Sequence, residues 1–232
     1  MSMLVQIYTA QSVPEALALA DLGVDHIGLT PANRGLPGEI SVHTAAAIVR
    51  ALRDRSGAAR PRSVALTVET SLEPVVDMAE AVEPDILHFC PPAGTIGPEL
   101  IRAFRERVPG REVMYAVSVS GPEAVDEAAR FAEVADWFIL DTQAPDIPGV
   151  GASGAVHDWT ISRRIVTESP IPVILAGGLS PENVAEAIER VRPAGVDSLT
   201  HSNVALPEGG FRKDLDRVAS FVAKARAAAQ GR

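Results

Sequence analysis

Three observations predict a single-domain (β/α)8 barrel. Apolar runs of strand length alternate with stretches of helical period, eight such runs fall within 232 residues, and polar side chains gather at their C-terminal ends. Sharing the chain among eight units leaves about 29 residues for each, near the lower limit of that fold, which starts around 200 residues. An open, doubly wound sheet is the alternative arrangement of the same elements.

The first run, Leu4–Tyr8, is followed by Ser12-Val-Pro-Glu15, whose Ser and Glu have the capping-box spacing that opens a helix. The second, His26–Thr30, and third, Val64–Glu69, place aliphatic residues at alternate positions, as a strand requires. The fourth, Ile86–Cys90, precedes Gly97-Pro98-Glu99, where Pro suits a first helical turn and Glu complements the helix dipole. Glu112–Val117 leads to the same signal in Gly121-Pro122-Glu123. Trp137–Asp141 enters a Gly/Pro-rich stretch, Gln143–His157, long enough to close over a ligand as a lid. Val173–Ala176 runs into Gly177 and Gly178 and then Ser180-Pro181-Glu182, which predicts a helix start at Ser180; Val196–Thr200 is the eighth strand.

Composition narrows the function classes. The chain is 47% hydrophobic and 22% charged, and its 18 Gly and 18 Pro are dispersed as punctuation, which favours one domain over two. A net charge of −9, with no basic stripe interleaved with aromatics, sets nucleic acid aside as a partner. No apolar run approaches the ~20 residues of a membrane span, and the N-terminus lacks a basic segment followed by an apolar one. One cysteine, Cys90, excludes an intrachain disulfide and fits a reducing compartment, so the expected location is the cytoplasm.

In a barrel, alternate side chains face the interior, and the C-terminal ends of the strands deliver them to the mouth. With Val5, Ile7, Ile27, Leu29, Leu87, Phe89, Phe138 and Leu140 turned outward, Gln6, Tyr8, His26, Thr30, His88, Cys90 and Asp141 turn inward. The same alternation, with Val64, Leu66 and Val68 outward, brings Thr67 and Glu69 inside.

The stretch Phe138-Ile-Leu-Asp141, the loop ending Gly151-Ala-Ser-Gly154 with His157-Asp158-Trp159, then Ile174-Leu-Ala-Gly-Gly-Leu179-Ser-Pro-Glu-Asn-Val184, Gly195-Val-Asp197 and Phe211-Arg-Lys-Asp214 resembles phosphoribosylanthranilate isomerase. The resemblance covers the chain from Trp137 onward and continues more faintly over Leu4 to Ile27. It implies a (β/α)8 barrel that opens the ribose of an N-phosphoribosyl anthranilate into an aminodeoxyribulose phosphate by acid/base catalysis, without a cofactor. Asp141, closing the sixth strand, falls on the family's general acid. The family's base is a Cys within Lys-Ile-Cys-Gly at the end of the first strand, where this chain has Gln6-Ile-Tyr8-Thr9.

That exchange matters, because a phenol with a reference pKa near 10 supplies far less anion at neutrality than a thiol near 8.5. Tyr8, Cys90 and Glu69 are the candidates for the base, and Glu69 with Asp141 would form a carboxylate pair able to replace the thiol. Gly177 and Gly178 before a helix start, together with Thr200, His201 and Ser202 where the family has a Ser-Gly pair, are the candidate phosphate grip. Arg34 corresponds to the family's arginine for the anthranilate carboxylate, and His88 to a polar position on the fourth strand. Each has a plainer reading: an Asx-turn for Asp141, an ordinary βα turn for the glycines, a rim charge for Glu69, and satisfied core residues for His88 and Cys90.

The expected function is therefore an isomerase of this kind acting on a phosphorylated sugar conjugate that differs from the family's substrate, with genuine tryptophan-biosynthesis activity, Tyr8 standing in the base position, as the subcase ranked after it. The small phosphorylated molecule is its partner, and the chain works as a monomer or homodimer. Two alternatives stand beside it. One is a metal-assisted epimerase or lyase using His88, Cys90, Glu69 and Asp141; the other is a phosphosugar-binding protein without turnover.

Overall fold

The computed structural model describes residues 3–55, 60–142, 150 and 157–231. Eight parallel strands close into a barrel: β1 (Leu4–Ile7), β2 (His26–Leu29), β3 (Arg62–Thr67), β4 (Ile86–Phe89), β5 (Glu112–Ser118), β6 (Trp137–Asp141), β7 (Val173–Leu175) and β8 (Gly195–Ser198). The ring is sealed where Leu4, Val5, Gln6 and Ile7 of β1 pair with Gly195, Val196, Asp197 and Ser198 of β8. The open-sheet alternative is thereby set aside. The outer layer is α1 (Val13–Asp21), α2 (Val42–Arg53), α3 (Leu72–Val82), α4 (Pro98–Arg107), α5 (Glu123–Phe131), α6 (Trp159–Glu168), α7 (Val184–Val191) and α8 (Leu215–Gln230). Between β8 and α8 lie a short 3-10 turn, Thr200–Ser202, and an antiparallel hairpin, β9 (Asn203–Ala205) with β10 (Phe211–Lys213), which the sequence pattern did not announce.

Local signals account for most helix ends. Ser12 accepts a hydrogen bond from the Glu15 amide at α1, Ser41 from the Thr44 amide at α2, and Asp214 from the amides of Asp216 and Arg217 at α8. The helix expected at Ser180 begins later, at Val184. Ser180 and Asn183 close a turn of their own first, with the Ser180 amide donating to Asn183 Oδ1 at 2.8 Å and the Glu182 amide to Ser180 Oγ at 3.1 Å.

Apolar packing divides into two compartments. One lies between sheet and helices and includes Val5, Ile7, Ile27, Leu29, Leu87, Phe89, Phe138 and Leu140. The other fills the barrel and includes Tyr8, Val64, Ile86, Cys90, Met114, Ile139, Ile174 and Ala176, with Leu66 against it. The inward set deduced for the first, second, fourth and sixth strands has this phase. The third strand has the opposite one: Val64, Leu66 and Val68 face the interior or its mouth, while Ala65 faces the helices. Both faces of a parallel strand are buried, so alternation of apolar and polar residues does not tell inside from outside. Here the small Ala65 is turned to the helical layer, and the bulk goes to the barrel.

Candidate active site

Two neighbouring cavities open at the C-terminal end of the barrel. The larger, about 540 Å³ including its opening to solvent, has Leu36, Pro37, Leu66, Val68, Ile139 and Val150 as apolar walls and Tyr8, His88, Cys90, Asp141 and Asp197 as polar groups. The smaller is lined by Gly177, Gly178, Ser198, Thr200 and His201. Asp141, Asp197 and Leu199 line both. An apolar chamber therefore adjoins a glycine-rich polar one, and two carboxylates stand where they meet.

Asp141 is the last residue of β6, and its Oδ1 accepts a hydrogen bond from the Thr142 amide at 2.7 Å. Gly177 takes φ +80° and Gly178 φ +64°, backbone conformations open to glycine at little cost. A Cβ on Gly177 would stand 2.7 Å from His157 Nδ1 and 3.3 Å from Asp141 Oδ1, so the bare backbone is what lets this turn approach both side chains. His157, absent from the sequence-derived candidates, is held by Thr142 Oγ1 at 3.2 Å and Ser162 Oγ at 2.6 Å. Burial lowers its pKa to about 4, which keeps it neutral at physiological pH.

The three candidate bases fare differently from expectation. Tyr8 is buried with its ring over Gly28, where any Cβ would lie 2.4 Å from the ring, and its hydroxyl meets His88 Nδ1 at 2.8 Å. Burial, then the charges of Asp197 and Cys90, push the Tyr8 phenol well above its usual range. Burial likewise raises the Cys90 thiol to about 12, and its Sγ donates to the Val150 carbonyl at 2.8 Å. Glu69, following the outward phase of β3, lines a groove beside Thr67, Pro74 and Asp77 on the outside of the barrel. Its carboxylate accepts from Arg34 Nε at 3.1 Å and Nη2 at 2.6 Å. The expected pairing of Glu69 with Asp141 inside the mouth is therefore corrected, as is the metal reading that required Glu69 there. Among the described residues, no group of three or more His, Cys, Asp or Glu is arranged to hold a metal ion.

Of the remaining candidates, Thr200 and His201 reach the smaller cavity, whereas Ser202 is buried beneath it with its hydroxyl donating to the Leu199 carbonyl at 2.8 Å. Arg34 is exposed at the rim in its ion pair with Glu69. His88 lines the larger cavity; burial lowers its pKa to about 3, and its Nε2 has no hydrogen-bond partner among the described residues. The predicted lid, Gln143–His157, lies outside the described residues apart from Val150 and His157.

The principal residue missed from sequence is Asp197, the inward side chain of β8, 5% exposed and with Oδ1 unpartnered among the described residues. Burial and the neighbouring Asp141 charge raise its pKa to about 8, against the pull of Gln6 and Lys213. The signal was available: a carboxylate inside an otherwise buried strand is costly and calls for a reason. Lys213, also buried, bonds the Tyr8 carbonyl, Ser202 Oγ at 3.4 Å and Asn203 Oδ1 at 2.6 Å, tying the hairpin to the end of β1.

A family model described as N-(5'phosphoribosyl)anthranilate (PRA) isomerase matches residues 24–224. The chain is 32% identical over 225 residues to N-(5'-phosphoribosyl)anthranilate isomerase 2 of Methanosarcina mazei, spanning 97% of this chain and 94% of that one. It is 32% identical over 231 residues to the Rhodopseudomonas palustris enzyme of the same name, covering 98% and 100%. Among solved structures, phosphoribosyl anthranilate isomerase from Thermotoga maritima superposes with a TM-score of 0.77 at 26% identity, covering 97% of this chain and 99% of that chain. The isomerase complexed with reduced 1-(o-carboxyphenylamino)-1-deoxyribulose 5-phosphate superposes at 0.75 and 25% identity over the same shares.

Proposed function

Since the chain belongs to the N-(5'-phosphoribosyl)anthranilate isomerase family, we propose that its joined cavities carry out an Amadori rearrangement of a phosphorylated glycosylamine, with Asp141 as general acid. The observation that carries this reading is the meeting of a glycine-rich chamber and an apolar one at a pair of carboxylates. The phosphate would lie against Gly177, Gly178, Thr200 and His201, where positive-φ glycines bring backbone close to the ligand. The aglycone would take the chamber walled by Leu36, Leu66, Val68 and Ile139, and the ribose the junction. Asp141 protonates the ring oxygen, the C1–O4 bond breaks, and the nitrogen lone pair forms an iminium; loss of the C2 proton then gives the enolamine, which tautomerises to the ketose.

The substrate differs from the family's in its aglycone. The guanidinium that would hold an anthranilate carboxylate is already engaged by Glu69 through two N–H groups, which favours a conjugate without that carboxylate. The enzyme would act in the cytoplasm as a monomer or homodimer, and the chemistry calls for no cofactor.

The test is turnover of a panel of N-(5'-phosphoribosyl)amines, with and without the ortho-carboxylate, followed by chromatographic separation of aldose and ketose isomers. Isomerisation with a higher kcat/KM for the uncharged aglycone is expected. Preference for the anthranilate conjugate would remove the altered-substrate reading, and absence of turnover across the panel would remove the enzyme reading.

A further inference from the structure

The rearrangement needs a base for the C2 proton, and the residues expected to supply one are poorly suited. Tyr8 is engaged with His88 and Cys90 with the Val150 carbonyl, and Glu69 lies on the outside of the barrel. His88 is too weakly basic when buried to hold a proton at neutral pH.

The strand register points to a different group. Leu140 of β6 pairs with Leu175 of β7, and Leu175 pairs with Val196 of β8. One residue further along each strand, Asp141, Ala176 and Asp197 stand side by side, and Ala176 belongs to the barrel interior. Two strand spacings separate the aspartates, about 10 Å between Cα atoms. The residue between them carries only a methyl group, which leaves the interval open. Both carboxylates line both cavities, and Asp197 Oδ1 is buried without a hydrogen-bond partner among the described residues. A buried carboxylate oxygen left without a partner in a residue that lines a cavity calls for a reason, and a catalytic role supplies one.

We propose that Asp197 is the general base of this isomerase, taking the C2 proton of the sugar while Asp141 protonates the ring oxygen from the opposite side of the junction. The assignment rests on the isomerase reading above. Asp197 enters the step as a carboxylate. Its carboxylate forms the O–H bond, the C2–H electron pair becomes the C1=C2 double bond, and the C1=N pair returns to nitrogen. Tautomerisation to the ketone moves one proton from the C2 hydroxyl to C1 and changes no charge. The cycle closes when the proton on Asp197 returns through solvent to Asp141. The groups facing Asp197 are Gln6 from β1, Tyr8 just beyond its end, Asp141 from β6 and Lys213 from β10. Asp141 bears its charge while Asp197 still holds a proton, so the productive pair, Asp141 protonated and Asp197 ionised, belongs to the singly protonated site, and activity should fall as pH rises through the Asp197 midpoint.

The experiment compares wild type and Asp197→Asn on the best substrate of the panel, protiated and deuterated at C2, across pH 6–10 (a range of about two units either side of the expected midpoint). Wild type should show a kcat/KM limb falling with pH, centred near 8, and a primary isotope effect. Asp197→Asn should lose about 10²–10⁴-fold in kcat and lose the limb, with the affinity for a reduced ketose-phosphate analogue within about tenfold. Wild-type turnover with an Asn variant inside about tenfold of it, or with the limb retained, overturns the base and leaves the isomerase reading standing. No wild-type turnover of any conjugate overturns both. If Asp197→Asn does not fold, the wild-type profile decides, and absence of the limb or of the isotope effect overturns the proposal.

Discussion

Gly177→Ala probes the structural core of the site, because one added methyl touches the turn, the acid and the buried histidine together. At φ +80° an alanine carries a left-handed backbone penalty of about 1–2 kcal/mol. The new Cβ would sit 2.7 Å from His157 Nδ1 and 3.3 Å from Asp141 Oδ1. Ordinary contact starts near 3.4 Å, so the imidazole must retreat by about 0.7 Å. His157 is pinned by Thr142 and Ser162, and stretching those bonds adds roughly 0.5–1.5 kcal/mol each. The total is about 2–5 kcal/mol, equivalent to a Tm lower by about 5–15 °C for a domain of this size. Displacing the acid by a fraction of an ångström to 1 Å lowers kcat by up to about 100-fold. Differential scanning fluorimetry and steady-state turnover measure the two effects. A variant with Tm within about 2 °C of wild type and unchanged kcat would show that the turn does not press against Asp141 and His157, and the proposed acid would lose its positioning.

Other perturbations separate the remaining roles. Asp141→Asn should lower kcat by about 10²–10⁴-fold while ligand affinity, read by calorimetry, stays close to wild type; full activity would remove the assignment of the acid. Tyr8→Phe deletes the hydroxyl bonded to His88 Nδ1 and leaves that buried nitrogen unpaired, a loss of about 1–3 kcal/mol in denaturant unfolding. An unchanged midpoint would mean that the bond contributes nothing. Glu69→Gln removes a partly exposed ion pair and should shift stability by less than about 1 kcal/mol; a large fall in kcat would return Glu69 to the mechanism. Asp197 also makes a prediction independent of activity. With its pKa raised from the ordinary 3.8 to about 8, the folded state binds a proton that the unfolded state releases across that window. The protonated carboxyl therefore supports folding fully below about pH 4, and its contribution declines as pH rises toward 8. Asp197→Asn should gain Tm relative to wild type at pH 8–9 and little at pH 4; a pH-independent difference would contradict the buried, proton-retaining carboxyl.

Much of this molecule was legible in one dimension. Strand-length runs and capping signals gave the number and order of the barrel strands, because period and cap chemistry are local properties of the chain. Asp141 could be placed at the mouth because a polar residue closing an apolar strand has few other places to go. The phase of β3 was not legible. Val64-Ala-Leu66 is apolar on both faces, and the folded barrel gives the small Ala65 to the helical layer and the larger Val64 and Leu66 to the interior. That choice moved Glu69 out of the barrel and into its ion pair with Arg34. The pairing of Asp197 with Asp141 was equally hidden, since it arises only when β8 closes onto β1 and the register across β7 sets two distant carboxylates on one level. Local chemistry thus fixed the strands and the acid; closure of the ring fixed which groups share the cavity, because register and burial are properties of neighbours that the chain brings together only on folding.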